Sequence, residues 1–419
     1  MEQNKNVPVI RFNGFEDEWN EIPFGNIAQV RRGLTYSPKD IRKNGVKVLR
    51  SSNINEDRFC EYDNDVYVDG NAINIDFVKN NDILITAANG SSRLVGKHAL
   101  INTSHDKVVH GGFMLLASSK NPFFLNASMS SEWYRKFISK NIAGGNGAIG
   151  NLNKNHLESE VILIPKEPEQ TQIGNFFKTL DSQITSQEQK SQKLVNLKKA
   201  MLKKMFPKEG ADVPEIRFKG FTEKWEEKLV GDYYGFKNGL NKGKEFFGYG
   251  TPIVNFTDVY HNRSINFSTL KGKVFLNTEE IKNFKVQKGD LFFTRTSETI
   301  LDIGFNSVMI DDPKDTVFSG FVLRGRSIDE DPLVNKFKRY VFFTDEFRNE
   351  MIKKSSMTTR ALTSGTAIKK MVFKFPANKS EQQKIGEYFE KLDNLIQQSQ
   401  EQIKKYKNIK KALLQKMFV

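Results

Sequence analysis

E-Q-T-Q-I-G-N-F-F-K-T-L-D-S-Q-I-T-S-Q-E-Q-K-S-Q-K-L-V-N-L-K-K-A-M-L-K-K-M-F, running from Glu169 to Phe206, is the stretch on which the fold turns. It has no internal proline, its one glycine lies near its start, and most of its residues are good helix formers, so it reads as one long helix. Ile173, Phe177, Leu180, Ile184, Gln187, Ser191, Leu194, Lys198, Met201 and Met205 follow one another in steps of four and three, a heptad seam with polar breaks. A helix about 55 Å long, at 1.5 Å per residue, cannot bury such a seam alone. It needs a partner helix.

Glu381 to Phe418 supplies one. Glu381-Gln382, Ile385-Gly386, Phe389, Leu392-Asp393, Ile396, Ile403, Tyr406, Lys410-Lys411-Ala412, Leu413-Leu414 and Lys416-Met417-Phe418 repeat the first pattern at a constant offset of 212 residues (381 − 169). Two such seams separated by a domain's worth of chain pair most simply as an antiparallel two-helix coiled coil.

The repeat extends outward. V-P-V-I-R-F-N-G-F-E-D-E-W from Val7 returns as V-P-E-I-R-F-K-G-F-T-E-K-W from Val213, at an offset of 206 (213 − 7). Each half therefore opens on an extended leader with an aromatic anchor, Trp19 or Trp225. The region between leader and helix has mixed character. In the first half I-A-Q-V-R-R-G, V-K-V-L-R-S-S-N-I, N-D-I-L-I-T-A-A-N-G and K-V-V-H-G-G-F-M-L-L-A-S-S read as short strands between Gly, Asn, Asp and Ser turns. Asn121-Pro122 reads as the start of a helix through Trp133 and Phe137. The second half follows with T-P-I-V-N-F-T-D-V, K-G-D-L-F-F-T-R-T-S, T-V-F-S-G-F-V-L-R-G and a helix opening at Asp331-Pro332. Polar loops at Gly144 to His156 and Thr363 to Lys370 close the two regions.

The expected architecture is mixed α/β with a pseudo-twofold internal repeat. It comprises a leader (1–23), a globular domain (24–166), a central helix (167–207), a linker with the repeated leader (208–231), a second globular domain (232–377) and a second long helix (378–419).

Composition narrows the partner. The 419 residues carry a formal net charge of +14, which points to a polyanion, with nucleic acid the commonest; the plain alternative is a protein rich in solvated lysines. A single cysteine, Cys60, excludes an intrachain disulfide framework and fits a reducing cytoplasm. The opening M-E-Q-N-K-N-V-P lacks the apolar core of a signal peptide, and no stretch approaches a membrane span, so a cytoplasmic location is expected.

Catalytic signatures are missing. His98, His105, His110, His156 and His261 show no ligand spacing, and one cysteine cannot build a zinc site, so no metal is expected. Gly239 to Lys244 falls one residue short of a phosphate loop and is followed by Glu245 where a hydroxyl should hold magnesium. Asn121-Pro122-Phe123-Phe124 lacks the second proline of an adenine-methyltransferase motif and reads as a helix cap instead. What remains is basic and polar groups in the loops of both globular regions. The first offers Arg31, Arg32, Tyr36, Arg50, Asn53, Ser92, Arg93, Lys97 and Asn146. The second offers Lys237, Asn238, Lys242, Asn255, Arg263, Arg295, Thr296, Arg360, Ser364 and Lys369. Such side chains read base edges and neutralise phosphates, which makes them candidate DNA contacts.

The order VP-x-I-R-F-x-G-F-x-x-x-W, a variable domain, then EQ-x-x-I-G-x-x-F-x-x-L-D and a long helix ending K-K-M-F, repeated once, closely resembles the specificity subunits of type I restriction-modification enzymes. The resemblance implies that each globular region is a target recognition domain reading one half of a split DNA site. It implies helices that set the spacing and bind two modification (methyltransferase) subunits, with restriction (motor/nuclease) subunits in the full complex. It also implies a non-catalytic chain, with S-adenosylmethionine, ATP and magnesium belonging to the partners. Because the two globular sequences differ, the target should be bipartite and asymmetric. The rivals are a stand-alone methyltransferase or nuclease, and a structural dimeriser whose basic charge is incidental.

If the helices act as a ruler, inserting four residues near Gln189 adds about one turn, ~6 Å, against ~3.4 Å per base pair. Methylation profiling of a strain carrying this variant should return both original half-sequences with a longer gap. An unchanged gap removes the helices from the spacing role.

Overall fold

The computed structural model describes residues 6–142 and 150–419. The chain forms two compact units, one made of Met1–Glu188 with Glu401–Val419 and the other of Gln189–Gln400. Both boundaries fall inside long helices, Glu167–Lys204 and Lys379–Lys416. Each helix places acidic residues in its first turn and lysine in its last, which suits the helix dipole. Among the described residues no helix is long and apolar enough to cross a membrane.

In the first unit a four-stranded antiparallel sheet orders His98–Leu100, Ile83–Thr86, Met114–Ser119 and Ala28–Arg32. A second sheet sets Val108–His110 parallel to Val46–Leu49. The second unit repeats this plan. Asn306–Met309, Leu291–Thr294, Val322–Ser327 and Tyr234–Asn238 lie in the same order, with Ser264–Ile265 added at one edge. Val317–Phe318 again runs parallel to the strand Phe247–Val254. In each unit the segment after the leader pairs antiparallel with the strand that feeds the long helix, Asn20–Pro23 with Val161–Ile164 and Glu226–Leu229 with Val372–Phe375.

The motif E-Q-x-x-I-G has one structural job per residue. The Glu169 carboxylate, 1% exposed, accepts from Arg11 Nε at 2.7 Å and Nη2 at 2.8 Å; Glu381, also 1% exposed, accepts from Arg217 at the same distances. Gln170 donates to the Pro165 carbonyl (2.8 Å) and accepts from Asn121 (3.1 Å). Gln382 donates to the carbonyls of Pro376 and Pro332 and accepts from the Val334 amide. Ile173 and Ile385 are buried in the cores. A Cβ on Gly174 would lie 2.7 Å from the Phe124 nitrogen, and one on Gly386 would lie 2.6 Å from the Lys336 carbonyl carbon. Only glycine lets the long helix press against the neighbouring short helix.

The helix ends carry the terminal K-K-M-F. In the second unit Met205 and Phe206 enter the core, with Phe206 5.7 Å from the Trp225 ring and 5.5 Å from Phe337. In the first unit Met417 and Phe418 do the same, with Phe418 6.0 Å from Trp19 and 5.8 Å from Phe124. Backbone bonds tie leader to helix end in both, Ile10 N to Lys416 O and Ile216 N to Lys204 O, each 2.8 Å.

Within each unit the two helix segments run antiparallel. In the first, Lys410 donates to Asp181 (2.5 Å) and Lys407 to Glu188 (2.9 Å); in the second, Lys198 pairs with Asp393. Of the seam residues, Ile173, Phe177, Leu180, Ile184, Ile385, Phe389 and Leu392 are buried. Leu194, Met201 and Leu413 are partly buried against the cores, while Ile396, Ile403 and Tyr406 are half-buried.

Three local expectations need correction. The helix expected from Asn121-Pro122 is two helices, Pro122–Met129 and Glu132–Asn141, broken at Ser130, whose hydroxyl bonds back to the Asn126 carbonyl. No helix opens at Asp331-Pro332. Asp331 instead accepts from Tyr234 Oη (2.6 Å), the Leu333 amide (3.0 Å) and Lys338, and the helix starts at Asn335. The polar loops before the long helices contain short helices, Lys154–Ser159 and Gly365–Lys369, capped by Asn153 and Ser364.

Glu169→Ala should leave Arg11 facing a closed, unpaired site and cost the first unit about 3 kcal/mol, read as a lowered urea midpoint. Asp17→Ala, which removes an exposed pair with Lys166, should leave the midpoint unchanged.

Candidate nucleic-acid interface

Four chain segments meet at one edge of the first unit. The strand Ala28–Arg32 exits through Gly33, whose Cβ position would lie 2.0 Å from the Gly111 carbonyl oxygen, so glycine is required for the two backbones to touch. The Leu34 amide then donates to the His110 carbonyl (2.7 Å), and the Gly111 amide to the Leu49 carbonyl (2.8 Å). Arg50 follows Leu49 and opens the turn Ser51–Asn53. The loop after Ile83–Thr86 joins through Asn89, whose amide donates to Ser51 Oγ (3.0 Å), and through Ala87 and Ala88, whose amides donate to the Phe113 carbonyl at 2.9 and 3.0 Å.

The second unit builds the same junction from different residues. Gly239 meets the Ser319 carbonyl as Gly33 meets that of Gly111 (2.1 Å to a Cβ). Leu240 N donates to Phe318 O (3.0 Å), Ser319 N to Val254 O (3.0 Å) and Arg295 N to Phe321 O (2.9 Å). Asn255 precedes the helix Phe256–Tyr260 without a side-chain cap bond, and its backbone N–H donates to the Asp258 carboxylate (2.8 Å).

The sequence candidates divide accordingly. Arg32 and Arg50 gather at the first junction, with Ser92, Arg93 and Lys97 on the adjoining loop and turn, while Tyr36 packs half-buried against the apolar cluster of Leu34, Val46 and Val109; Arg32, Arg50, Ser92 and Arg93 are exposed. Asn238, Asn255, Arg295 and Thr296 gather at the second, and Arg360 lies at the tip of a hairpin paired to Thr296–Ser297. Others have structural employment. Asn53 is fully buried, accepting from Arg50 N (2.8 Å) and donating to Cys60 O and Asp65 (both 2.9 Å), which withdraws it from the contact set. Arg31 pairs with Asp82 and Asp76.

Arg263 donates to the carbonyls of Asn306 and Tyr260 and stacks on Phe305 and Phe343, and burial pushes its pKa down to about 10. Lys237 bonds Asn283, and burial, with Arg324 and Arg326 nearby, lowers its pKa. Lys242 pairs with Glu280 (2.5 Å). Ser364 caps a helix, and Lys369 lies against Gly231, at the opposite end of the strand from Asn238. Asn146 lies outside the described residues.

Composition-based reading missed two residues at these junctions. Phe113 is 71% exposed and Phe321 57% exposed, each at the tip of the tight turn beside the loops above. The repeated G-F in H-G-G-F-M and F-S-G-F-V is the signal the sequence offers for them. Among the described residues no group of three or more His, Cys, Asp or Glu is placed to hold a metal ion.

The sequence pattern of the type I restriction modification DNA specificity domain matches twice, over residues 16–196 and 218–405. No curated protein sequence matches the chain. In fold the chain is similar to the type I restriction-modification S subunit from M. genitalium, with TM-score 0.57 at 13% identity, covering 99% of both chains. A chain from a structure describing complex assembly and conformational transition of the type I R-M system is similar with TM-score 0.50 at 14% identity, over 94% of this chain and 96% of that one.

Asn53→Ala should lower the unfolding stability of the first unit by about 2 kcal/mol, since it orphans buried partners. Arg50→Ala should leave the urea midpoint in place while weakening duplex binding by about 1–3 kcal/mol and relaxing base preference at one position.

Proposed function

Since the chain belongs to the type I restriction-modification DNA specificity family, and so serves as the specificity component rather than a catalytic one, we propose that each unit reads one half of an asymmetric bipartite duplex site. The junction repeated in both units is the observation that carries this reading. A shared backbone scaffold offers different side chains at equivalent places: Arg50 where the second unit has Asn255, and Ala87 where it has Arg295. Arginine suits the guanine edge in the major groove and asparagine the adenine edge, so equal scaffolds with unequal side chains select unequal half-sites. Arg32, Arg50 and Arg93 on the first unit, and Asn238, Asn255, Arg295, Thr296 and Arg360 on the second, are the contacts this reading favours, with lysines nearby serving phosphates.

DNA and the methyltransferase and restriction subunits are the partners of this family. The finer assembly is part of the proposal: two modification subunits dock on the paired helices, and the complex works in the cytoplasm. S-adenosylmethionine, ATP and magnesium act on those other subunits, and this chain contributes only recognition and placement.

Exchanging residues 24–164 for the globular region of another specificity subunit, with leaders and helices kept, tests the division of labour. Single-molecule methylation profiling should show one half-site replaced and the other intact. Alteration of both halves, or of neither, contradicts one half-site per unit.

A further inference from the structure

Phe113 and Phe321 occupy equivalent positions in the two units, at an offset of 208 (321 − 113), between the 206 of the leaders and the 212 of the helices. A single exposed phenylalanine needs no explanation. Two at the same point of two domains whose surface side chains have otherwise diverged do. Their backbones are fixed while their rings stay in solvent. The Phe113 carbonyl accepts from two amides, and the turn is closed by Met114 N donating to Gly111 O (2.8 Å). The Phe321 carbonyl accepts from Arg295, its amide donates to Ser319 Oγ (3.2 Å), and Val322 N closes the turn onto Ser319 O (3.1 Å). Glycine precedes each ring, Gly112 against Thr35 and Gly320 against Asn241. The outcome is a stiff turn tip that presents one aromatic face, its backbone bonded to the loop that carries Asn89, which in turn bonds Ser51 next to Arg50, in one unit, and to Arg295, with Asn241 against the preceding glycine, in the other.

The geometry points to Phe113 and Phe321 as paired wedges, each entering a base step of its own half-site and partly unstacking it. This rests on the reading that each unit binds duplex DNA, and adds where and how the duplex is deformed. Apolar wedges of this kind act at flexible steps such as TA or CA/TG and supply specificity at positions without hydrogen-bonded readout. The polar neighbours favour DNA over an apolar protein pocket as the occupant, because an apolar pocket closing on the ring would leave Arg50 or Arg295 poorly solvated.

The test uses the full complex of this chain with its modification subunits, and duplexes of the sequence that the wild-type complex methylates, with 2-aminopurine placed in turn at each adenine of both half-sites except the methylated one and its neighbours, since the methyltransferase itself extrudes its target base. Wild-type complex should raise fluorescence at one step in each half. Phe113→Ala should abolish the rise in one half only, and Phe321→Ala in the other. Each should weaken binding roughly 10- to 100-fold, the range of one base–aromatic stack, with an unchanged salt slope, because no phosphate contact is lost. Phe→Trp at either site should retain the signal, and urea midpoints should not move. Variants that bind and light up like wild type overturn the wedge and leave half-site recognition standing. Loss of the modification subunits from the purified complex assigns the rings to a protein contact and overturns it as well. A wild-type complex without bipartite preference overturns the recognition reading itself.

Discussion

The fold depends on a buried charge pair placed twice. Arg11 and Arg217 come from the leaders, Glu169 and Glu381 from the first turns of the long helices, and each pair is bidentate with a carboxylate removed from water. A buried carboxylate without its guanidinium would be strongly unfavourable, so the leader has one acceptable position and fixes where its tryptophan points. The other residues of the motif then follow. Glutamine satisfies backbone groups left open around the helix start, and glycine permits the close approach that brings isoleucine and phenylalanine into the core. A change at any of these positions disturbs the docking of leader, short helix and long helix together, which accounts for their repetition while the strands between them drifted.

The helix ends impose a second constraint. Phe206 completes a core built from residues after it, and Phe418 one built from residues far before it. The first unit therefore stays open beside Trp19 until residues 401–419 are made, while the second holds every part of its core within Gln189–Gln400. Sequence order and structural order differ for the first unit alone. Its final closure is a long-range event, with the loop-closure entropy that such contacts carry.

How much of this was legible follows from which residues were under one constraint and which under several. The seams, leaders and duplication were readable because period and offset are sequence properties, and the strands around Ile83–Thr86 and Met114–Ser119 were readable from their apolar runs. The helix start at Asp331-Pro332 was misread because the local cap signal lost to a tertiary demand: Asp331 serves Tyr234 and Lys338 instead. Asn53 was misread because an asparagine that shapes a turn and one that reads a base look identical in sequence; only its burial separates them. Phe113 and Phe321 were passed over for the reverse reason, since aromatic residues in apolar runs are ordinarily core.

Net charge shows the same limit and shapes how recognition has to work. A formal charge of +14 counts every cation alike, yet many are occupied inside the units. Lys47 pairs with Glu61 and Asp65, Lys338 with Asp331, Arg339 with Glu390 and Arg326 with Asp290. Such cations contribute little to a field that could steer or hold a duplex, because their partners cancel them at short range. The candidates at the two junctions are comparatively few and sit on backbone fixed by cross-strand hydrogen bonds. A surface of that kind gains modest affinity per unit from charge, so discrimination has to come from the geometry of a few rigidly placed groups. Joining two such units in one chain compensates: on the proposed reading, once one unit is bound the second contact becomes intramolecular, so that contacts modest by themselves reinforce each other.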